Sequence, residues 1–102
     1  MVRRIKEGVQ MIHVGPNTAL TLTQIQMVCR KAKMNYMYAK FYTDKYFIQV
    51  NFMRDNTINL STNIKNPSFI TQYRRYEKEG WTFGRVVEFI YGWMQIKRRS
   101  LE

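Results

Sequence analysis

Residues 45–61, KYFIQVNFMRDNTINLS, decide the fold, because apolar and polar side chains alternate along two consecutive runs. A period of two is typical of a strand with one buried face. Residues 53–56, between the two runs, include the turn formers Asp and Asn. The stretch therefore predicts a two-strand hairpin, whose core-facing side chains are Tyr46, Ile48, Val50, Phe52, Ile58 and Leu60.

The other face of this hairpin is predicted to carry a single ring among hydrogen-bonding groups. Its side chains are Phe47, Gln49, Asn51, Thr57, Asn59 and Ser61. A face of this kind is suited to stacking the bases of single-stranded nucleic acid. The alternative is that a helix or a second subunit covers it.

A first helix is expected to begin near Thr21, because Thr21 and Gln24 have the spacing of a capping box. Apolar residues then recur at helical spacing as far as Ala39, which predicts one long amphipathic helix. The positions of this apolar stripe are Leu22, Ile25, Val28 or Cys29, Ala32, Tyr36 and Ala39.

Two more helices are predicted near the C-terminal end of the sequence. Asn66 ahead of Pro67 is a favourable helix start, and Gly80 is expected to end that helix in the left-handed conformation. Thr82 is expected to cap a last helix. Phe89 does not fit the inward stripe of that helix easily, which predicts an exposed ring.

These elements predict an α+β fold in the order β-α-β-β-α-α, with a short antiparallel sheet packed on helices and a first strand ahead of Gly15. A length of 102 residues suffices for one domain. We expect residues 1–100 to form that single domain and residues 101–102, Leu-Glu, to be a cloning scar.

The balance of charge indicates the class of partner. Seventeen Lys and Arg face seven Asp and Glu, for a formal net charge of +10. Such a field attracts polyanions. A hydrophobic content of 45% excludes a disordered basic tail.

We expect a nucleic acid, either DNA or RNA, to be bound through phosphate contacts on basic helix faces. The candidate residues are Arg30, Lys31, Lys33, Arg74, Arg75, Lys78, Lys97, Arg98 and Arg99. A helix-turn-helix across residues 72–91 is a further possibility, although Tyr76 stands where a small residue would let the helices approach.

An alternative is a protein-interaction module, such as an inhibitor or adaptor, or a homodimer. It would dock through an apolar stripe that the core does not need. That stripe consists of Met34, Met37, Tyr38, Phe41 and Tyr42.

Catalysis is not expected. One Cys and one His exclude an internal disulfide and the usual zinc sites, so we expect no metal and no cofactor. The carboxylates are scattered and form no pair at a spacing that would share one site; Glu77 and Glu79, for example, diverge on a helix.

No apolar run approaches the roughly 20 residues that cross a bilayer, which predicts a cytoplasmic protein without a membrane partner. The composition, rich in Asn, Lys, Ile and Tyr, resembles that of small accessory proteins of phages and mobile elements.

Overall fold

A computed structural model describes residues 10–15 and 20–96 of the chain. The predicted cations Lys97, Arg98 and Arg99 lie outside the described residues, as do residues 101–102. Four strands and three α-helices are present in the described part, and a π-helical segment follows the last helix. Their bounds are β1 Gln10–His13, α1 Leu22–Met34, β2 Tyr38–Tyr42, β3 Phe47–Phe52, β4 Ile58–Thr62, α2 Pro67–Glu79, α3 Phe83–Ile90 and the π-helical segment Tyr91–Ile96.

The four strands form one sheet in the order β1-β2-β3-β4. β2, β3 and β4 are antiparallel neighbours, whereas β1 pairs with β2 in parallel, because α1 crosses over between them. The register sets Ala39 opposite Val50 and Phe41 opposite Ile48. The predicted α+β class is confirmed, and the sheet has one more strand than predicted and is mixed.

The strand that the sequence did not predict is β2. The capping box at the start of α1 is confirmed, since the Gln24 N–H donates to Thr21 Oγ1 over 3.1 Å and the Thr21 N–H donates to Gln24 Oε1 over 2.9 Å. The predicted continuation of this helix to Ala39 is wrong, because α1 ends at Met34 and Tyr36 has φ 52°. Residues 38–42 pair on both sides, with β1 and β3, and that pairing satisfies their backbone groups.

Both later helices begin where predicted. Asn66 Oδ1 accepts hydrogen bonds from the backbone N–H groups of Ser68 and Phe69, at 2.9 and 3.2 Å. Thr82 Oγ1 accepts from the N–H of Arg85 at 3.3 Å. Gly80 follows α2 with φ 94° and ψ 127°, so the positive φ is as predicted but ψ lies outside the left-handed helical region.

The core lies between one face of the sheet and the helices. The sheet contributes buried side chains from β2, β3 and β4, and α1 and α3 cover them. The principal members are Ala39, Phe41, Ile48, Val50, Phe52 and Leu60 from the sheet, Ile25, Cys29 and Ala32 from α1, and Val86, Val87 and Ile90 from α3.

The prediction that the Phe89 ring is exposed is also wrong, since this residue is only 3% exposed. α2 packs against the side of α3 that the sheet does not cover. The Phe89 ring centroid lies 5.0 Å from that of Phe69 and 5.2 Å from that of Trp81. A helix covered on two sides has a wider buried stripe than one lying on a surface.

Candidate nucleic-acid interface

The sheet presents a second face, turned away from the helices, which we call the outer sheet face. Strand alternation places every core side chain on the opposite side, where the described helices pack. Thr57, predicted for this face, lies instead in the turn before β4. The members of the outer sheet face are Met11, His13, Tyr38, Lys40, Tyr42, Phe47, Gln49, Asn51, Asn59 and Ser61.

One row of this face carries rings on three neighbouring strands. The register aligns His13 of β1 with Tyr42 of β2, and Tyr42 with Phe47 of β3. The rings of His13 and Tyr42 meet edge to face, with centroids 5.2 Å apart. Lys40 Nζ lies 4.8 Å from the centroid of the Phe47 ring, within the distance of a cation–π contact.

Amide side chains occupy the part of the outer sheet face nearer β4, and we call this set the amide network. Gln49 Nε2 donates to Asn51 Oδ1 at 2.9 Å, and Asn51 Nδ2 donates to Asn59 Oδ1 at 2.9 Å. A longer bond of 3.4 Å joins Asn51 Nδ2 to Ser61 Oγ. The network holds these side chains in place on the sheet and keeps their polar atoms at the surface.

Positive charge prevails beside this face. Lys40 is half-buried on it, and Lys45 is exposed in the turn between β2 and β3. The Asp44 carboxylate lies in the same turn, 3.0 Å from His13 Nε2. This carboxylate is therefore held by a partner.

The six predicted helix cations that the structure describes are all exposed. Among residues 10–15 and 20–96, none of the six forms an ion pair with a carboxylate. They are Arg30, Lys31 and Lys33 on α1, and Arg74, Arg75 and Lys78 on α2.

Some of the cations of α1 and of α2 lie against aromatic rings, at two different places. Arg30 Cζ and Lys33 Nζ lie 6.0 and 5.6 Å from the ring centroid of Phe83, the first residue of α3. Arg85, in the same turn, lies with its Cζ 5.2 Å from the ring centroid of Tyr76. Arg75 of α2 contacts that same ring, at 5.1 Å. We call the pair Arg75 and Arg85, which share the Tyr76 ring, the cationic end.

Arg85 was not among the predicted residues, because a single arginine in an apolar helix gives no cluster signal. Its Nη1 also donates to Glu79 Oε1 at 2.6 Å, so one carboxylate offsets part of the charge. The positive end of the α3 macrodipole adds to the local potential. The remaining predicted cations lie elsewhere: Arg74 lines a surface cavity of about 450 Å³ together with Lys65, between β4 and α2.

The predicted protein-docking stripe does not exist as one surface. Phe41 is fully buried in the core, so its assignment to an interface is wrong. Tyr38 and Tyr42 lie on the outer sheet face, because alternate residues of a strand point to opposite sides. Met34 is 74% exposed at the end of α1, and Met37 is half-buried in the connection to β2.

The helix-turn-helix interpretation lacks a recognition helix. α3 has eight residues, and Val86, Val87, Phe89 and Ile90 are buried. Few polar side chains are left to reach base edges in a groove.

In the described part of the chain, no group of three or more His, Cys, Asp or Glu side chains could hold a metal ion. Burial raises the pKa of the Cys29 thiol to about 12. None of the helices within residues 10–15 and 20–96 is long and apolar enough to cross a membrane.

Comparison with family models found no match for this chain, and comparisons with curated proteins and with solved structures found none either.

Proposed function

We propose that this protein is a small nucleic-acid-binding protein that holds phosphate groups with exposed helix cations and catalyses no reaction. The observation that carries the proposal is the cationic end, where Arg75 of α2 and Arg85 of α3 lie against the same Tyr76 ring. A net charge of +10 supplies long-range attraction for a polyanion.

The ring contacts favour phosphate binding at this end. A guanidinium that stacks on a ring loses part of its conformational freedom before any ligand arrives, so less entropy is lost on binding. Its N–H groups remain available for bidentate hydrogen bonds to phosphate oxygens. Arg75 and Arg85 both lie against the Tyr76 ring. Arg85 uses its Nη1 for the bond to Glu79, so only its other N–H groups are left for a phosphate.

The test is a fluorescence-anisotropy titration of the protein with single- and double-stranded DNA and RNA at several salt concentrations. We expect binding at ~50 mM salt. The logarithm of the binding constant should fall linearly with the logarithm of the salt concentration, with a slope of about −0.9 for each phosphate contacted on duplex DNA. No binding at that salt concentration, or binding insensitive to salt, would overturn the proposal.

Two double variants locate the surface. Arg75→Glu with Arg85→Glu should weaken binding to every nucleic acid and make the salt slope shallower, because phosphate contacts are lost. Arg54→Glu with Lys65→Glu removes the same charge away from the cationic end and serves as the matched control. An equal loss in both variants would show that net charge alone, and not this end, drives binding.

One observation favours the alternative of a protein-interaction module. Met34, Tyr36 and Met53 are exposed apolar side chains that line one surface cavity of about 280 Å³, with Arg30 and Lys33 at its edge. Such a cavity suits an apolar anchor of a protein that also carries acidic residues. Under this alternative, a partner co-purifies after nuclease treatment, and Met34→Glu releases it while Arg75→Glu does not.

A further inference from the structure

We infer that the outer sheet face is a second binding surface that takes single-stranded nucleic acid, with bases stacked on Phe47 and Tyr42 and a phosphate held by Lys40. The inference rests on the proposed function for the class of ligand. It adds a separate site on the opposite side of the sheet from the helices and a preference for single strands.

The pair of Lys40 and Phe47 matches the two chemical parts of a nucleotide. The Phe47 ring offers a flat π surface, and the ammonium lies 4.8 Å from its centroid. Both side chains are half-buried on the sheet, so both are accessible from the same side. A base that stacks on the ring displaces the ammonium toward the phosphate of the same nucleotide, where it gains a full negative charge as partner.

The row of rings extends this arrangement across the sheet. Tyr42 stands directly opposite Phe47, on the neighbouring strand. His13 packs edge to face against Tyr42 and is itself held by Asp44. The row therefore has a fixed side chain on β1 and accessible rings on β2 and β3. This favours a nucleic-acid strand that runs across the sheet.

The amide network lies where base edges would meet the sheet beside the rings. In the described structure, Asn59 Nδ2 donates no hydrogen bond and Gln49 Oε1 accepts none, whereas the other ends of both amides are engaged. A free donor and a free acceptor at fixed positions suit the Watson–Crick edges of unpaired bases. A duplex offers neither exposed base faces nor these edges to a flat surface, which is why the ligand is single-stranded.

Charge distinguishes this ligand from a second copy of the chain. Two outer sheet faces brought together by a two-fold axis would place Lys40 of each copy in one interface, where the like charges repel. Four polar side chains also occupy the part of the face nearer β4, so the apolar side chains are confined to the remainder. A polyanion with flat bases satisfies both the charge and the rings.

The test compares three ligands of equal length: an oligothymidylate, an oligomer of abasic deoxyribose phosphates, and a duplex. The wild-type protein is expected to bind oligothymidylate at least about fivefold tighter than the abasic strand, since one stacked base accounts for at least that ratio. Phe47→Leu with Tyr42→Leu should abolish this difference and leave the duplex affinity unchanged. Tyr36→Leu removes an exposed ring elsewhere and should change neither the preference for oligothymidylate over the abasic strand nor the duplex affinity.

Each result separates the two proposals. Equal, salt-dependent binding of the oligothymidylate and the abasic strand by the wild-type protein overturns the stacking surface while the phosphate site stands. Absence of all binding overturns both. If the wild-type protein is a dimer in the absence of nucleic acid and the double Leu variant is a monomer, a second copy occupies the face. This result also overturns the inference.

A measurement on the unchanged protein covers the case in which the double variant does not fold. Ultraviolet cross-linking of an oligonucleotide containing 4-thiothymidine, followed by peptide mapping, is expected to label the segment that contains Tyr42 and Phe47. Labels confined to α1, α2 or α3 would overturn the inference.

Discussion

The hydroxyl of Tyr73 donates a 2.7 Å hydrogen bond to the backbone carbonyl of Leu60, linking α2 to β4. β4 is an edge strand of the sheet, and its outward carbonyls have no neighbouring strand to accept from. The bond therefore satisfies an edge carbonyl and anchors a helix whose other contacts are largely aromatic.

Tyr73→Phe is expected to lower the free energy of unfolding by about 1 kcal/mol, the usual net value of one such bond. Urea denaturation followed by circular dichroism measures it. Tyr76→Phe is the matched control, because the Tyr76 hydroxyl only accepts a long 3.4 Å bond from Gln72. A larger loss for Tyr76→Phe would contradict the role given to the Tyr73 bond.

Because of the same Tyr73 hydroxyl, we expect the stability of the protein to depend on pH in the alkaline range. Burial, and then the nearby Glu77 charge, raise the pKa of Tyr73 above its ordinary value of 10.0. Above that pH the unfolded chain loses this proton first, so the native state is progressively destabilised as the pH rises toward the higher native pKa. Urea denaturation at pH 9, 10 and 11 should show a shallower decline for Tyr73→Phe than for the wild type. Identical declines would count against a raised pKa.

Two glycines near the start of α3 should respond to alanine in opposite directions. Gly80 has a φ of 94°, so Gly80→Ala is expected to destabilise the protein by about 1–2 kcal/mol. Gly84 lies within α3, and a Cβ there would meet nothing within 4 Å. Gly84→Ala should stabilise by up to about 1 kcal/mol, because alanine loses less backbone entropy in a helix. Thermal unfolding of both variants decides it, and a stabilised Gly80→Ala would refute the backbone argument.

The burial of the single cysteine predicts how fast the native protein reacts with a thiol reagent. Cys29 is fully buried, and its pKa is raised from 9.0 to about 12, so the native protein at pH 8 exposes almost no thiolate. We expect Ellman's reagent to react only at the rate of unfolding, and to react at once in urea. A Cys29→Ala, Thr23→Cys variant moves the thiol to an exposed position of α1 and should react immediately. Rapid reaction of the native wild-type protein would show that α1 opens readily.

The sequence predicted those features whose signals lie within a few residues of each other. The hairpin follows from its alternation, and the starts of all three helices follow from the side chains of Thr21, Asn66 and Thr82, which bond to backbone groups two or three residues ahead. The exposure of the predicted helix cations follows from the same amphipathic pattern.

The candidate sites were less predictable, because they join residues from distant parts of the chain. The cationic end depends on α2 and α3 meeting around Tyr76. Phe89 was misjudged for the same reason, since the packing of α2 over α3 decides its burial.

Residues 38–42 show most clearly which features follow from the local sequence and which depend on the tertiary structure. The spacing of Ala32, Tyr36 and Ala39 fits a helix, and the alternation of residues 38–42 fits a strand, so the local pattern permits both. Sequence alone determined the hairpin and the helix starts, because their hydrogen bonds are local. Only the tertiary structure decided that residues 38–42 form β2, because pairing with β1 and β3 satisfies their backbone groups on both sides and places Tyr42 beside Phe47.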